Sequence, residues 1–249
     1  MTDQAWQARW LCTDRPEQDG AQQGWAEIIA IDGPAASGKS TVGEAVAHRL
    51  GYLYFDTGAM YRAITWLALA RGVPVSDEAQ VTALAEIAQI DVLPAVEEDG
   101  RQYTVLVNGE DATWAIREPD VAANVSQVSA YPGVRAALVA QQRRLAARGQ
   151  IVMVGRDIGT VVLPDAPLKV YLDASVEERA RRRWLEEQAR DGQRAYDDVL
   201  AALRRRDEID STRAVAPLRP ADDAVIVDST GLSIEQVVER VAMLAAARL

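Results

Sequence analysis

Residues 33–40 read Gly33-Pro34-Ala35-Ala36-Ser37-Gly38-Lys39-Ser40, and Thr41 follows. The spacing fits G-x-x-x-x-G-K-[ST], in which glycines let backbone N–H groups turn inward around an anion. Such a loop works only between a buried strand and the N-terminus of a helix, whose dipole favours negative charge. Both flanks are present. Ala26-Glu27-Ile28-Ile29-Ala30-Ile31 is a short apolar run ending in the loop residues Asp32-Gly33-Pro34. Val42, Ala45, Val46 and Leu50 recur at helical spacing over residues 39–50, and Gly51 is a stop signal. The motif assigns Gly33 to Thr41 to the phosphates of a nucleotide such as ATP or GTP. Lys39 would reach the β- and γ-phosphates, and the Ser40 hydroxyl would ligate Mg²⁺. It leaves open whether the chemistry is hydrolysis, transfer or switching.

The rest of the chain supplies a matching scaffold. Leu53-Tyr54-Phe55, Ile151-Val152-Met153-Val154, Leu168-Lys169-Val170-Tyr171-Leu172 and Val225-Ile226-Val227 are further short apolar runs, each followed by loop residues. Helical patterns alternate with them, one over residues 59–71 ended by Arg71-Gly72. Strands buried on both faces and alternating with helices predict a doubly wound, parallel, five-stranded α/β sheet. One region, about 89–130, breaks the alternation. Asp91-Val92-Leu93, the polar Glu97-Glu98-Asp99-Gly100, Tyr103-Thr104-Val105-Leu106-Val107 and the dipeptide Asn108-Gly109 predict a small antiparallel insert.

Composition narrows the function classes. The chain has 249 residues and a formal net charge of -10, so binding nucleic acid by bulk positive charge is not expected. Of its basic residues only Lys39 and Lys169 are lysines. One cysteine, Cys12, forbids an intramolecular disulfide or a cysteine metal cluster, and one histidine, His48, rules out a Ser-His-Asp triad unless His48 itself is the base. No uncharged apolar stretch reaches about 18 residues, so no membrane span is expected. Residues 1–25 are polar, lack the apolar centre of a secretory signal and are expected to be a flexible extension, leaving 26–249 as one domain. The expected location is the cytoplasm.

Four further stretches bear on a second substrate, and each has a bland alternative. Asp56-Thr57-Gly58-Ala59-Met60-Tyr61-Arg62 follows the second strand, where open α/β sheets bind ligands. Arg62 either presents a planar fork to a phosphate, or is a solvated residue of a helix capped by Asp56 or Thr57. Gly155-Arg156-Asp157-Ile158-Gly159-Thr160 places an arginine and a carboxylate between glycines, as a ligand contact or as a surface ion pair. Arg206, Asp210 and Arg213 share one helical face, which on pattern alone favours a solvated salt-bridge stripe. Arg179, Arg181, Arg182 and Arg183 crowd a helix ahead of the polar Gln188-Ala189-Arg190-Asp191-Gly192-Gln193, a flap or a solvated face.

Taken together these motifs resemble the bacterial cytidylate kinases in order and spacing, from about residue 27 to the end. Asp165-Ala166-Pro167, Asp228-Ser229-Thr230 and Asn124-Val125-Ser126-Gln127-Val128-Ser129 fit as well. The position before Gly155, often acidic in that family, is Val154. The resemblance implies the P-loop kinase fold with a nucleotide-binding insert at about 89–130 and a lid at about 179–195. It implies Mg²⁺-dependent transfer of the ATP γ-phosphoryl to CMP or dCMP by a monomer. Arg62, Arg156 and Arg213 would hold the acceptor phosphate, beside Asp56 and Thr57. Arg206 and Asp210 would contact the ribose, and Ser126, Arg135 and Asp157 would read cytosine. Arg179 and Arg183 would supply cations from the closing lid. The alternatives are a related kinase for UMP, AMP or a non-nucleotide alcohol, and a regulatory module that binds ATP without transferring it.

Overall fold

The computed structural model describes residues 27–247 apart from 96, 98, 102, 148, 190 and 191. The extension expected over 1–25, with Cys12, lies outside the described residues.

A parallel sheet forms the centre. Its strands are β1 (Ile28–Asp32), β2 (Leu53–Asp56), β6 (Ile151–Gly155), β7 (Leu168–Asp173) and β8 (Val225–Asp228), in the order β2-β6-β1-β7-β8. The middle strands are buried on both faces, which is why the sequence reads as unbroken apolar runs. Period two still sorts their side chains. Ile29, Ile31, Val152 and Val154 pack with Val42 and Val46 of α1 (Lys39–Leu50) and with Val237 and Val241 of α8 (Ile234–Ala246). Ala30, Ile151 and Met153 point the other way, into a core shared with α2 (Gly58–Ala70), α3 (Glu78–Ile87), α4 (Pro119–Val128) and α5 (Pro132–Ala146). A third, smaller cluster joins Ala35 to α6 (Val176–Gln188) and α7 (Tyr196–Thr212) through Ala180, Val199 and Leu203.

The insert is the three-stranded antiparallel sheet β3 (Ile90–Pro94), β4 (Tyr103–Val107) and β5 (Glu110–Asp111). Val107 pairs with Glu110, so Asn108 and Gly109 form a two-residue hairpin loop. Both take positive φ, 53° and 85°, as the primed hairpin turn requires. The last part of the 89–130 stretch is not sheet but the helix α4. Its signals were in the sequence: Pro119 at the first turn, then Val121, Val125 and Val128 on one face, all buried.

All five parallel strands run toward one edge. The loop 33–38, Asp56-Thr57 and Arg156-Asp157 leave the sheet there from β1, β2 and β6. These three strands are adjacent, so the topology brings together residues more than a hundred positions apart.

Candidate active site

The phosphate loop is shaped by backbone chemistry. Gly33 sits against β7, where an added Cβ would stand 2.1 Å from the Leu172 carbonyl oxygen, so no larger residue fits. Ala36 and Gly38 take left-handed φ of 59° and 92°; Ala36 is a non-glycine residue held there, and such strain clusters at functional loops. Gly38 is the N-cap of α1, whose free N–H groups face the loop. Lys39 folds back so that Nζ donates to the Pro34 carbonyl at 2.7 Å. Burial, then the charge of Arg156, hold its pKa well below the ordinary lysine value. Ser40 Oγ donates to Asp56 Oδ2 at 3.4 Å, so a hydroxyl and a carboxylate meet beside the loop.

Two arginines brace the loop or its surroundings from behind, and a third on the same helix does not. Arg179 is buried rather than free on a helix face: it donates to the Ala174 carbonyl, to the Ala35 carbonyl of the loop at 3.1 Å, and to Asp207 at 2.7 Å. Arg182 donates to Ser229 Oγ at 3.0 Å and to the Ser229 carbonyl at 2.7 Å, and Ser229 in turn reaches the Ser37 carbonyl. Arg183 is half-exposed and paired with Glu186 and Glu187 on its own helix. Its charge still helps to lower the pKa of Arg62 and Arg206, so it stands near them. Of the segment read as a flap, Arg190 and Asp191 lie outside the described residues.

Facing the loop are two charge clusters. In the first, Arg156 Nε donates to Asp210 Oδ2 at 2.9 Å, and Arg206 Nε lies 4.0 Å from the same oxygen. Burial and the Arg156 charge pull Arg206 down to about 10, and its Nε is buried without a hydrogen-bond partner. Burial works against ionisation of Asp210, but Arg156 and Arg206 outweigh it and hold the carboxyl below its usual range. Arg62, on α2, is also lowered by burial, with Asp56 opposing. It makes no hydrogen bond or ion pair among the described residues. Lys39, Arg62 and Arg206 are thus cations held in a partly dehydrated cleft with too little negative charge, an arrangement that a phosphate would relieve.

The second cluster sits one residue further along. Asp157 is buried between two arginines: Arg135 Nη2 donates to Oδ2, and Arg213 Nη2 lies 3.6 Å from Oδ1. Arg135 also donates to the Ser129 carbonyl at 3.2 Å, three residues beyond Ser126 on α4. Arg213 donates through Nε to the Ala216 carbonyl at 2.6 Å. The stripe at 206, 210 and 213 is therefore not solvated; Asp210 and Arg213 are both buried.

Some residues carry local structure as well. Asp56 Oδ1 accepts from the Gly58 N–H at 2.9 Å, the turn expected of a cap. Thr57 donates its hydroxyl to the Val154 carbonyl at 2.9 Å and so ties β2 to β6. Val154 is a core residue whose side chain meets Gly43 of α1, where an added Cβ would stand 2.6 Å from it.

Asp32 escaped the sequence reading. Its carboxylate accepts the N–H groups of Ile158 and Gly159, both at 2.7 Å, and so anchors the turn after Arg156-Asp157 to the start of the phosphate loop. Burial raises its pKa to about 6 despite those two donors. Its only sequence signal was an acid at the end of an apolar run. Lys169, the other lysine, is paired with Asp223 at 2.8 Å, and its stem packs at Gly159.

A phosphate loop on a five-stranded parallel sheet, faced by a cluster of buried arginines, is the arrangement of a P-loop phosphotransferase. The family model for cytidylate kinase matches residues 29–247. The chain belongs to the cytidylate kinase family. It is 51% identical to the cytidylate kinase of Herpetosiphon aurantiacus over 213 residues, 86% of this chain and 91% of that relative. It is 52% identical to that of Roseiflexus castenholzii over 85% of this chain and 90% of the relative. The cytidylate kinase of Bacillus licheniformis is 50% identical, with 86% and 93% covered. Among the described residues no helix is long and apolar enough to cross a membrane.

Proposed function

We propose that this chain transfers the γ-phosphoryl group of ATP to CMP or dCMP, reversibly and with Mg²⁺, as a cytoplasmic monomer. The observation that carries the reading is the adjacency of Arg156 and Asp157 at the end of β6. One lies in the cation cluster opposite Lys39, and the next is a buried carboxylate between Arg135 and Arg213.

The roles follow from chemistry. An oxygen of the acceptor phosphate forms the new bond to the γ-phosphorus while the bond to the β–γ bridging oxygen breaks, and ADP leaves. No strong base is needed, so positioning and charge neutralisation carry the rate. The backbone of residues 33–41 and Lys39 take the donor phosphates. Arg62, Arg156 and Arg213 take the acceptor phosphate, with Asp56 and Thr57 alongside. Arg206 and Asp210 take the ribose, and Ser126, Arg135 and Asp157 the base. A carboxylate accepts from the N4 amino group of cytosine and is repelled by the O4 of uracil, so Asp157 would select CMP over UMP without a steric gate. Arg183 would close over the nucleotides as part of a lid at about 179–195, excluding water. The oxygen donors Ser40 and Asp56 suit a hard cation that takes most of its ligands from water and phosphate. Bound there, Mg²⁺ would offset charge on the transferred group.

The test is ADP formation from ATP and Mg²⁺ with CMP, dCMP, UMP, AMP or no acceptor in parallel. Turnover centred on CMP and dCMP is expected. Turnover centred on another acceptor would overturn the base-reading roles, and hydrolysis independent of any acceptor would favour a regulatory ATP-binding module.

A further inference from the structure

Tyr61 stands between the two halves of the acceptor site and belongs to neither of them so far. It is buried, and it directly precedes Arg62 on α2. Its ring lies under the Arg135 guanidinium, with Arg135 Cζ 5.4 Å from the ring centroid. The charges of Arg135, Asp157 and Arg213 all act on its hydroxyl, so it lies within reach of the second cluster. On its far side is Gln142 of α5, fully buried, whose amide faces the hydroxyl. Tyr61 Oη and the Gln142 amide are buried against each other and reach no other hydrogen-bond partner among the described residues.

We propose that Tyr61 is a positioning residue for base selection, acting through Arg135. This rests on the reading of Arg135 and Asp157 given above. Arg135 has two polar anchors, the Ser129 carbonyl and Asp157. Both lie at the ends of its guanidinium, and neither fixes the plane of the fork. The aromatic face does, because a desolvated guanidinium is attracted to the ring's negative face. With that plane fixed, Asp157 keeps one orientation and its remaining lone pairs stay aimed at an incoming base. Without it, Arg135 can swing with Asp157, and the carboxylate no longer meets N4 and O4 differently. The hydroxyl looks to Gln142 and it is the ring that meets Arg135, so the ring is the working part.

The experiment compares kcat/KM for CMP and for UMP in the wild type, Tyr61→Phe and Tyr61→Leu. A desolvated cation–π contact is worth up to about 2 kcal/mol, so Tyr61→Leu should cut the CMP/UMP ratio by about tenfold. The loss should fall on KM for CMP more than on kcat, and Tyr61→Phe should restore the ratio. Should Tyr61→Leu not fold, Tyr61→Met fills similar space and carries the same test. An unchanged ratio in the non-aromatic variant, or equal losses with CMP and UMP, overturns the proposal. Loss of the ratio in Tyr61→Phe also overturns it, because the hydroxyl would then be the working part. A wild type with no preference for CMP would instead refute the underlying assignment of Asp157, and the same assay shows which has failed.

Discussion

Arg156 Nε and Asp210 Oδ2 meet at 2.9 Å and join the end of β6 to the buried face of α7. The contact is more than an ion pair, because Asp210 also faces Arg206 and so answers two cations with one carboxylate. Lys39 and Arg62 add further positive charge nearby. Without an ionised Asp210, Arg156 and Arg206 would face each other with no shared counter-charge.

Asp210→Ala should therefore destabilise the nucleotide-free protein by about 3 kcal/mol, the usual cost of removing one partner from a buried pair. Added inorganic phosphate should recover part of that loss by supplying the missing negative charge. Denaturant unfolding with and without phosphate measures both effects. A loss below about 1 kcal/mol, in the range of exposed pairs, would mean that Asp210 is better solvated than its burial indicates.

Lys39→Met should separate activity from stability. The lysine is buried, its pKa is depressed by burial and by Arg156, and among the described residues its hydrogen bond is to the Pro34 carbonyl. Removing it takes away an unfavourable buried charge, so the unfolding midpoint of the free protein should rise. ADP formation should fall by about a hundredfold or more, because the lysine would act on charge that develops in transfer. Parallel thermal unfolding and turnover assays decide the matter. A variant that is both less stable and fully active would contradict both halves.

The scaffold was largely legible in the residues. Apolar runs at 28–31, 53–55, 151–154, 168–172 and 225–227 became the five strands within a residue or two, because strands buried on both faces have little choice of composition. The helix at 119–128 was hidden by its neighbourhood: the hairpin beside it suggested sheet, although Pro119 and the spacing of its valines pointed to helix. The site was legible where backbone shape fixes identity, as at Gly33 and Gly38. It was less legible where burial decides. On pattern alone the stripe at 206, 210 and 213 read as solvated, and only tertiary packing turns it inward. Asp32 and Tyr61 were not singled out, and Arg182 was seen only as one of a crowd of arginines, because each gets its role from partners more than 40 residues away.

Asp32 gives a prediction about pH. Its folded pKa, about 6, lies above the ordinary carboxylate value of 3.8. Between those values the folded state binds more protons than the unfolded state, so stability falls as pH rises through the window. The contribution is fully present below about pH 4 and is lost above about pH 6, a change of about 3 kcal/mol. Asp32→Asn should lack this slope. Unfolding free energy measured from pH 4 to 7 in both proteins isolates it. Parallel curves would show that Ile158 and Gly159 stabilise the carboxylate enough to cancel its burial.

Asp157 offers the sharpest test of the proposed substrate. It is buried between Arg135 and Arg213, so Asp157→Ala would leave two arginines facing each other and cost stability as well as selectivity. Asp157→Asn also loses the charge, but it keeps the shape and one acceptor oxygen while adding an N–H donor, so it separates base reading from simple loss of the side chain. A carboxylate can only accept, which suits the N4 amino group of cytosine; an amide can also donate to the O4 of uracil. One good base contact is worth about 1–3 kcal/mol of discrimination. Asp157→Ala should therefore lower the CMP/UMP ratio of kcat/KM by about tenfold to a hundredfold. Asp157→Asn should move the ratio further toward UMP than alanine does, since it gains a contact to uracil rather than only losing one to cytosine. If both variants kept the wild-type ratio, the base would be read elsewhere, and Asp157 would serve only to hold Arg135 and Arg213 apart.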